Sequence, residues 1–213
     1  MKTKLILCIM TMCVMGVLIM GCGSDTAKKD EVKEKNAIAE AGTSVTEGTG
    51  AGSKSLVVYF SWSGNTEFVA DEVAKETGAD VFRVVPADAS RYDGDYDTVV
   101  DIAKKEVAEQ ARPEFVGSVA DFEQYDTIYL GYPCWWGDMP MIMYSFLDKY
   151  DLSGKTLAPF TTNEGSGFGD SLTNIQKAAP KAKLADGLQI RGKQVESSIG
   201  EIKAWVDGIN AGK

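Results

Sequence analysis

From Leu56 onward the chain alternates short apolar runs with helix-patterned segments, and this order restricts the fold more than any single motif does. Leu56 to Phe60 reads as a buried strand, and Glu67 to Thr77 follows as a helix carrying Phe68, Val69, Val73 and Ala74 at helical spacing. A second strand is expected over Asp80 to Val85, bounded by Pro86, and then an amphipathic pattern of Val99, Ile102, Ala103, Val107 and Ala108 that ends near Arg112 and Pro113. Further strands are expected over Thr127 to Gly131, over Thr156 to Thr161 and within Leu184 to Arg191. The matching helices are Met139 to Lys149, Ser171 to Ala179 and Ser197 to Asn210. Strict alternation implies an α/β domain with a doubly wound, five-stranded parallel sheet, helices on both faces and right-handed crossovers. The common order for five strands is 2-1-3-4-5, which places ligands at the carboxyl ends of the strands beside the first one.

The segment ahead of this domain has a different composition. Lys2 and Lys4 precede an uncharged apolar run from Leu5 to Met20, then Gly21, Cys22, Gly23 and Ser24, the pattern of an export signal. The run is shorter than the roughly 20 apolar residues of a spanning helix. Leu18-Ile19-Met20-Gly21-Cys22 resembles the lipobox of bacterial lipoproteins, with the bulky Met20 as a departure from the usual small residue. That resemblance implies cleavage before Cys22, a lipid on its sulfur and a protein anchored at the extracytoplasmic face of the cell membrane. Two acyl chains suffice for stable attachment. Residues 23–54 are rich in Lys, Glu, Ala, Gly, Thr and Ser, with too few large apolar side chains for a core, and are expected to form a flexible tether to the domain at 55–213.

Counts narrow the chemistry. The chain has four cysteines, and with Cys8 and Cys13 in the leader and Cys22 assigned to lipid, Cys134 is left alone, so no intrachain disulfide is expected. There is no histidine, which removes His-based triads and His metal sites, and a single thiol cannot build a multi-Cys zinc site; no metal is expected. A formal net charge of -9 argues against nucleic acid and against lying flat on anionic lipid, and suits a basic protein partner or solubility.

Three loops fall at the carboxyl ends of the expected strands. Ser61-Trp62-Ser63-Gly64-Asn65-Thr66 joins the first strand to the first helix and offers hydroxyls and free backbone N–H groups where the helix dipole favours an anion. No lysine follows Gly64 as a nucleotide-triphosphate loop requires, and there is one glycine where a dinucleotide fingerprint needs three. The loop also lacks a phosphatase's cysteine and arginine, and the third strand lacks a receiver domain's terminal aspartate. What remains is a monophosphate ester held by neutral donors. The loop after the third strand, Tyr132 to Pro140, carries adjacent Trp135 and Trp136. Both cannot point into one core, so one is expected to offer its face to a planar group, unless both cover the sheet edge or a neighbouring helix. A flat ring on a monophosphate is satisfied by flavin mononucleotide (FMN).

Ser61, Ser63, Gly64, Asn65 and Thr66, the Tyr-Pro-x-Trp-Trp-Gly-Asp-x-Pro segment at Tyr132 to Pro140, and Gly165-Ser166-Gly167-Phe168-Gly169 together resemble the flavodoxin family, of the short-chain type. The resemblance implies a flavodoxin-like fold and FMN as cofactor, with Ser61, Trp62, Ser63, Gly64, Asn65 and Thr66 at the phosphate. Pro133, Cys134, Trp135, Trp136 and Gly137 would lie against the isoalloxazine, and Thr162, Asn163, Glu164, Gly165 and Phe168 along its pyrimidine side. Peptides near Gly137 are candidates to flip and bond the reduced flavin N5, and Glu164 and Asp138 would lower the potential if they lie near N1. Cys134 is expected to pack.

Three functions fit these readings. The first is a lipid-anchored electron-transfer protein serving redox partners, some of them basic. The second is an FMN-dependent reductase taking hydride from NAD(P)H to quinones. The third is a flavin-binding lipoprotein without turnover.

Overall fold

The computed structural model describes residues 54–212. The expected export signal, Cys22 and nearly all of the expected tether lie outside the described residues. Lys54, counted with the tether above, is the first residue of strand β1.

β1 is Lys54–Tyr59, α1 Asn65–Thr77, β2 Asp80–Arg83, α2 Tyr96–Glu109, β3 Tyr125–Pro133, α3 Met141–Lys149, β4 Thr156–Asn163 and α4 Ser171–Ala178. Two short strands, β5 Lys183–Leu184 and β6 Leu188–Arg191, precede a 3₁₀ segment, Gly192–Ser198, and α5 Ile199–Ala211. All pairings in the sheet are parallel, and the expected order holds: β2, β1, β3, β4, then β5 and β6 sharing the fifth place beside β4. The apolar stretch from Leu184 to Arg191 is therefore two strands, interrupted where Ala185, Asp186 and Gly187 leave the ladder.

Side-chain alternation on the strands divides the core into two layers. Leu56, Val58, Ile128, Leu130, Tyr132 and Leu157 face α2, α3 and α4. Val57, Tyr59, Tyr129, Ala158 and Phe160 face α1 and α5, against Val69, Val73, Ile202 and Val206. With both faces covered, the central strands are apolar on both sides, which is why they read as continuous hydrophobic runs. Gly131 on β3 pairs with Phe160 on β4, and a Cβ at that position would run into the Phe160 ring, so a side chain there is excluded by packing.

Boundaries differ from the expected ones at helix starts and at strand ends, β2 stopping at Arg83 rather than Val85. Asp95 caps α2, its Oδ1 accepting from the Thr98 amide at 2.9 Å, and this begins the helix before the first apolar residue of the pattern. β3 runs to Pro133 and β4 to Asn163, so two strands carry their loops farther out than the apolar runs indicate.

Candidate functional site

The strand-to-helix loop after β1 is held from both sides. The Phe60 amide donates to the Gly131 carbonyl at 3.0 Å and the Val84 amide to the Tyr59 carbonyl at 2.7 Å, fixing the end of β1 between its neighbours. The chain then turns through Gly64, whose φ of 90° suits glycine, into α1, where the Phe68 amide closes the first turn on the Gly64 carbonyl at 2.9 Å. No side chain caps α1, so the amides of its first three residues have no intrahelical acceptor. Ser61 is buried, and its Oγ has no hydrogen-bond partner among the described residues. A hydroxyl in that state costs about 1–3 kcal/mol unless something binds it. The Thr66 hydroxyl lies 2.8 Å from that of Thr162 on β4, so Thr162 can donate to Thr66 and leave the Thr66 proton for an anion. Ser63 is exposed. The Asn65 amide and the Glu164 carboxylate close on Gly192, where a Cβ would collide with the Asn65 nitrogen and lie 2.8 Å from a Glu164 oxygen.

The β3–α3 loop is a tight turn. Trp135 and Asp138 exchange both backbone hydrogen bonds, at 2.8 and 3.0 Å, and the residues between them, Trp136 and Gly137, have φ of 53° and 74°. Positive φ at both central positions marks a type I′ turn. Gly137 occupies this conformation freely, whereas a tryptophan there costs about 1–2 kcal/mol. The Trp136 indole offsets part of this: Nε1 donates to the Val100 carbonyl on α2 at 3.0 Å, and the Lys104 ammonium lies 5.2 Å from the ring centroid. The two tryptophans thus differ. Trp135 is partly buried, edge-on to Phe60 and Tyr92 with centroids 5.4 Å away in each case. Trp136 lies along α2, the adjacent helix, and remains 52% exposed. Pro133 and Cys134 are partly buried beside them, with the Cys134 amide donating to the Thr162 carbonyl at 2.8 Å.

Asp138 is engaged by three donors. Its Oδ1 accepts from the Met139 amide at 2.7 Å and the Tyr144 hydroxyl at 2.8 Å, and its Oδ2 from the Asn174 amide at 2.8 Å, so the carboxylate ties the turn to α3 and α4. Burial, and then this carboxylate, hold the Tyr144 phenol far above its ordinary pKa.

The β4–α4 loop is clasped to the turn. The Asp170 amide donates to the Gly137 carbonyl at 2.7 Å, and Gly169 packs so closely on that carbonyl that no Cβ fits. Within the loop the Gly165 amide bonds Asn163 Oδ1 at 2.7 Å. Ser171 Oγ donates to the Phe168 carbonyl at 2.7 Å and therefore accepts from the Tyr132 hydroxyl at 2.8 Å. Phe168 packs on Gly187 and the core and anchors the loop. With the Gly137 carbonyl committed to Asp170 and the Asp138 amide to Trp135, the peptide between Trp136 and Gly137 is the one in this turn with no hydrogen bond among the described residues.

Sequence reasoning missed Tyr92, which lies in the polar stretch between β2 and α2. Its ring meets Phe60 at 5.3 Å and Trp135 at 5.4 Å, its carbonyl accepts from Trp62 Nε1 at 3.1 Å, and its hydroxyl donates to Glu106 at 3.0 Å. Glu106, buried on α2, also binds Arg91 Nε at 2.7 Å. Burial, reinforced by Glu106, raises the Tyr92 phenol pKa well above its usual value. Nothing local in the sequence distinguishes this tyrosine from its exposed neighbour Tyr96.

The assembled site is a neutral anion cradle with an orphaned hydroxyl, beside a rim of indoles held by the neighbouring loops. It fits a phosphate ester carrying a planar ring. Among curated proteins, an NAD(P)H dehydrogenase (quinone) of Acidovorax ebreus (strain TPSY) is 32% identical over 136 residues, 57% of this chain, and the chain spans 62% of that relative's length. Among solved structures, a Bacteroides uniformis protein described as a flavoprotein shares 29% identity with a TM-score of 0.65, covering 73% of this chain and 99% of that one. A Lactobacillus acidophilus flavoprotein solved in complex with FMN has the same fold at 24% identity and TM-score 0.59, covering 70% and 98%. The flavodoxin family model matches residues 54–209, which includes every strand, every helix but the last two residues of α5 and all three loops of the site, and the chain belongs to the flavodoxin family.

Proposed function

We propose that this protein binds FMN at the carboxyl ends of β1, β3 and β4 and works as an electron-transfer protein, anchored through Cys22 outside the cytoplasm. The observation that carries the cofactor is the buried, unpartnered Ser61 hydroxyl beside the open amino end of α1. A dianionic phosphate satisfies that hydroxyl, the Thr66 hydroxyl and the free amides together, with no cation in the loop. The FMN complex of the Lactobacillus acidophilus protein accords with this choice. When bound, the flavin supplies one- and two-electron redox chemistry, and the protein supplies placement and electrostatics.

The residues divide that work. Ser61, Ser63, Asn65 and Thr66 hold the phosphate. The Trp135 to Gly137 turn and the Thr162 to Gly169 loop, clasped through Gly137 and Asp170, form the walls for the ring. Asp138 and Tyr132 keep those walls in register through α3 and α4. The unbonded Trp136–Gly137 peptide can turn its carbonyl or its amide toward the ring, because Gly137 tolerates either φ. Trp62 and Trp136 are 38% and 52% exposed, so a ring beside them stays within reach of an external partner.

The similarity to an NAD(P)H dehydrogenase (quinone) favours a second reading, an FMN-dependent reductase of quinones. Potentiometric titration of the FMN-loaded protein, with an NADH and NADPH oxidation assay, separates the two. Two resolved one-electron steps and negligible nicotinamide oxidation are expected for the carrier. A single two-electron wave with turnover of NAD(P)H and a quinone would replace it with the reductase.

A further inference from the structure

The first turn of α1 carries a carboxylate of its own. Gly64 stands at the N-cap, so Glu67 occupies the third helical position. In a capping box a glutamate at that position turns back onto the amino end of its helix, and the positive end of the helix dipole draws it there. In this protein it does not: no side chain caps α1, and the Gly64, Asn65, Thr66 and Glu67 amides have no acceptor among the described residues.

The cause lies on the neighbouring strands. Tyr59 and Arg83 are partners in the parallel register of β1 and β2, so their side chains stand on one face of the sheet, the face that α1 covers. Arg83 Nη1 donates to Glu67 Oε1 at 2.5 Å, and the Tyr59 hydroxyl donates to the same oxygen at 3.3 Å. The Arg83 guanidinium lies 5.9 Å from the centroid of the Tyr59 ring, and that ring is itself buried against α1. Glu67 is thereby drawn toward the β2 edge and away from the loop after β1. Asp71, one turn further along α1, is the next carboxylate on this side. Burial and then Glu67 hold its pKa above the usual value, against the opposing pull of Arg83.

A Glu67 carboxylate released from Arg83 would compete with an anionic ligand for the open amides and would add negative charge beside it. We propose that Arg83 is a positioning residue for phosphate recognition: together with Tyr59 it holds Glu67 off the amino end of α1 and keeps those amides open. The proposal takes its ligand from the FMN reading above. The state of the amides belongs to the apoprotein and is measured without a ligand.

Arg83→Ala, Arg83→Lys, Glu67→Ala and the double variant Arg83→Ala with Glu67→Ala test it, with Asp71→Asn as the charge control. Affinities for FMN and riboflavin are measured by flavin fluorescence quenching, and exchange of the amides at positions 64–67 is followed by NMR in the apoprotein. Arg83→Ala is expected to weaken FMN binding by about fivefold to tenfold, the worth of a helix cap, and to leave riboflavin within about twofold. In the same variant the amides at the start of α1 exchange more slowly, because Glu67 now bonds them. Arg83→Lys, which keeps the charge, holds most of the FMN affinity. Glu67→Ala alone changes it little, and the double variant restores both FMN affinity and fast exchange.

Direct attraction between Arg83 and the phosphate would give another pattern: Glu67→Ala and Asp71→Asn would each tighten FMN, whether or not Arg83 is present, and that result would overturn the proposal. A double variant as weak as Arg83→Ala, or equal losses of FMN and riboflavin in Arg83→Ala, would overturn it as well. If the unaltered protein binds FMN and riboflavin equally, the phosphate reading falls. The apoprotein exchange then decides the position of Glu67 alone, and unchanged exchange in Arg83→Ala rejects it.

Discussion

The amino and carboxyl ends of the sheet treat buried polar groups in opposite ways. At the amino end the largely buried Lys155 ammonium donates to the carbonyls of Phe122, Glu123 and Tyr125, at 3.3, 3.2 and 2.5 Å, and lies 5.0 Å from the Phe122 ring centroid. Beside it the Tyr125 hydroxyl donates to Asp80 at 2.7 Å, joining β3 to β2. At the carboxyl end Ser61 Oγ is buried without a partner, α1 is uncapped, and Gly64, Trp136, Gly137, Gly165, Gly167 and Gly169 all hold positive φ. A satisfied end adds stability and binds nothing further. An end that keeps donors open and tolerates strain is stabilised when a ligand arrives.

That contrast can be broken by substitution. Lys155→Ala strands three carbonyls, so urea unfolding is expected to lose about 2–3 kcal/mol while FMN affinity, by fluorescence quenching, stays within a factor of two. A large loss of FMN affinity in this variant would mean that the two ends are coupled. Ser61→Ala is expected to behave in the reverse sense: the apoprotein keeps or slightly gains stability, and FMN binding weakens by about 1.5–3 kcal/mol, the worth of a hydrogen bond to a charged group. Equal FMN affinity in that variant would remove Ser61 from the cradle.

A smaller effect is expected midway between the ends. Tyr129 lies at the centre of β3, fully buried, with its hydroxyl unpartnered among the described residues, and burial alone pushes its pKa up to about 12. Tyr129→Phe should therefore be neutral or stabilising by up to about 1 kcal/mol at pH 8. The native chain retains this phenolic proton where the unfolded chain has lost it, so stability should fall as pH rises from about 10 to about 12, and Tyr129→Phe should make that fall shallower. A steeper fall in the variant would contradict the assignment. Tyr59, raised to about 12 by burial and by Glu67, keeps a part of the slope in both proteins.

The elements and the three loops were legible because each rests on local pattern, apolar runs, helical spacing and small-residue turns, and the strand order followed from the common arrangement of five alternating strands. The orphaned state of Ser61 was not legible, since it depends on how β1 seats between β2 and β3. The hydrogen bonds of Asp138 were not legible for a similar reason: only the packing of α3 and α4 brings Tyr144 and Asn174 onto it. The positive φ of Trp136 was invisible because its compensation comes from Val100 and Lys104 on a helix far away in sequence. Tyr92 went unseen because its partners Phe60, Trp135 and Glu106 come from three other parts of the chain.

The most direct test is the affinity of the purified protein for FMN compared with riboflavin, measured by quenching of flavin fluorescence in the same buffer. A cradle of open donors around Ser61 predicts FMN at least 100-fold tighter, a difference of about 2.7 kcal/mol. Equal affinity for the two would show that the phosphate is not recognised and that the loop after β1 has another purpose.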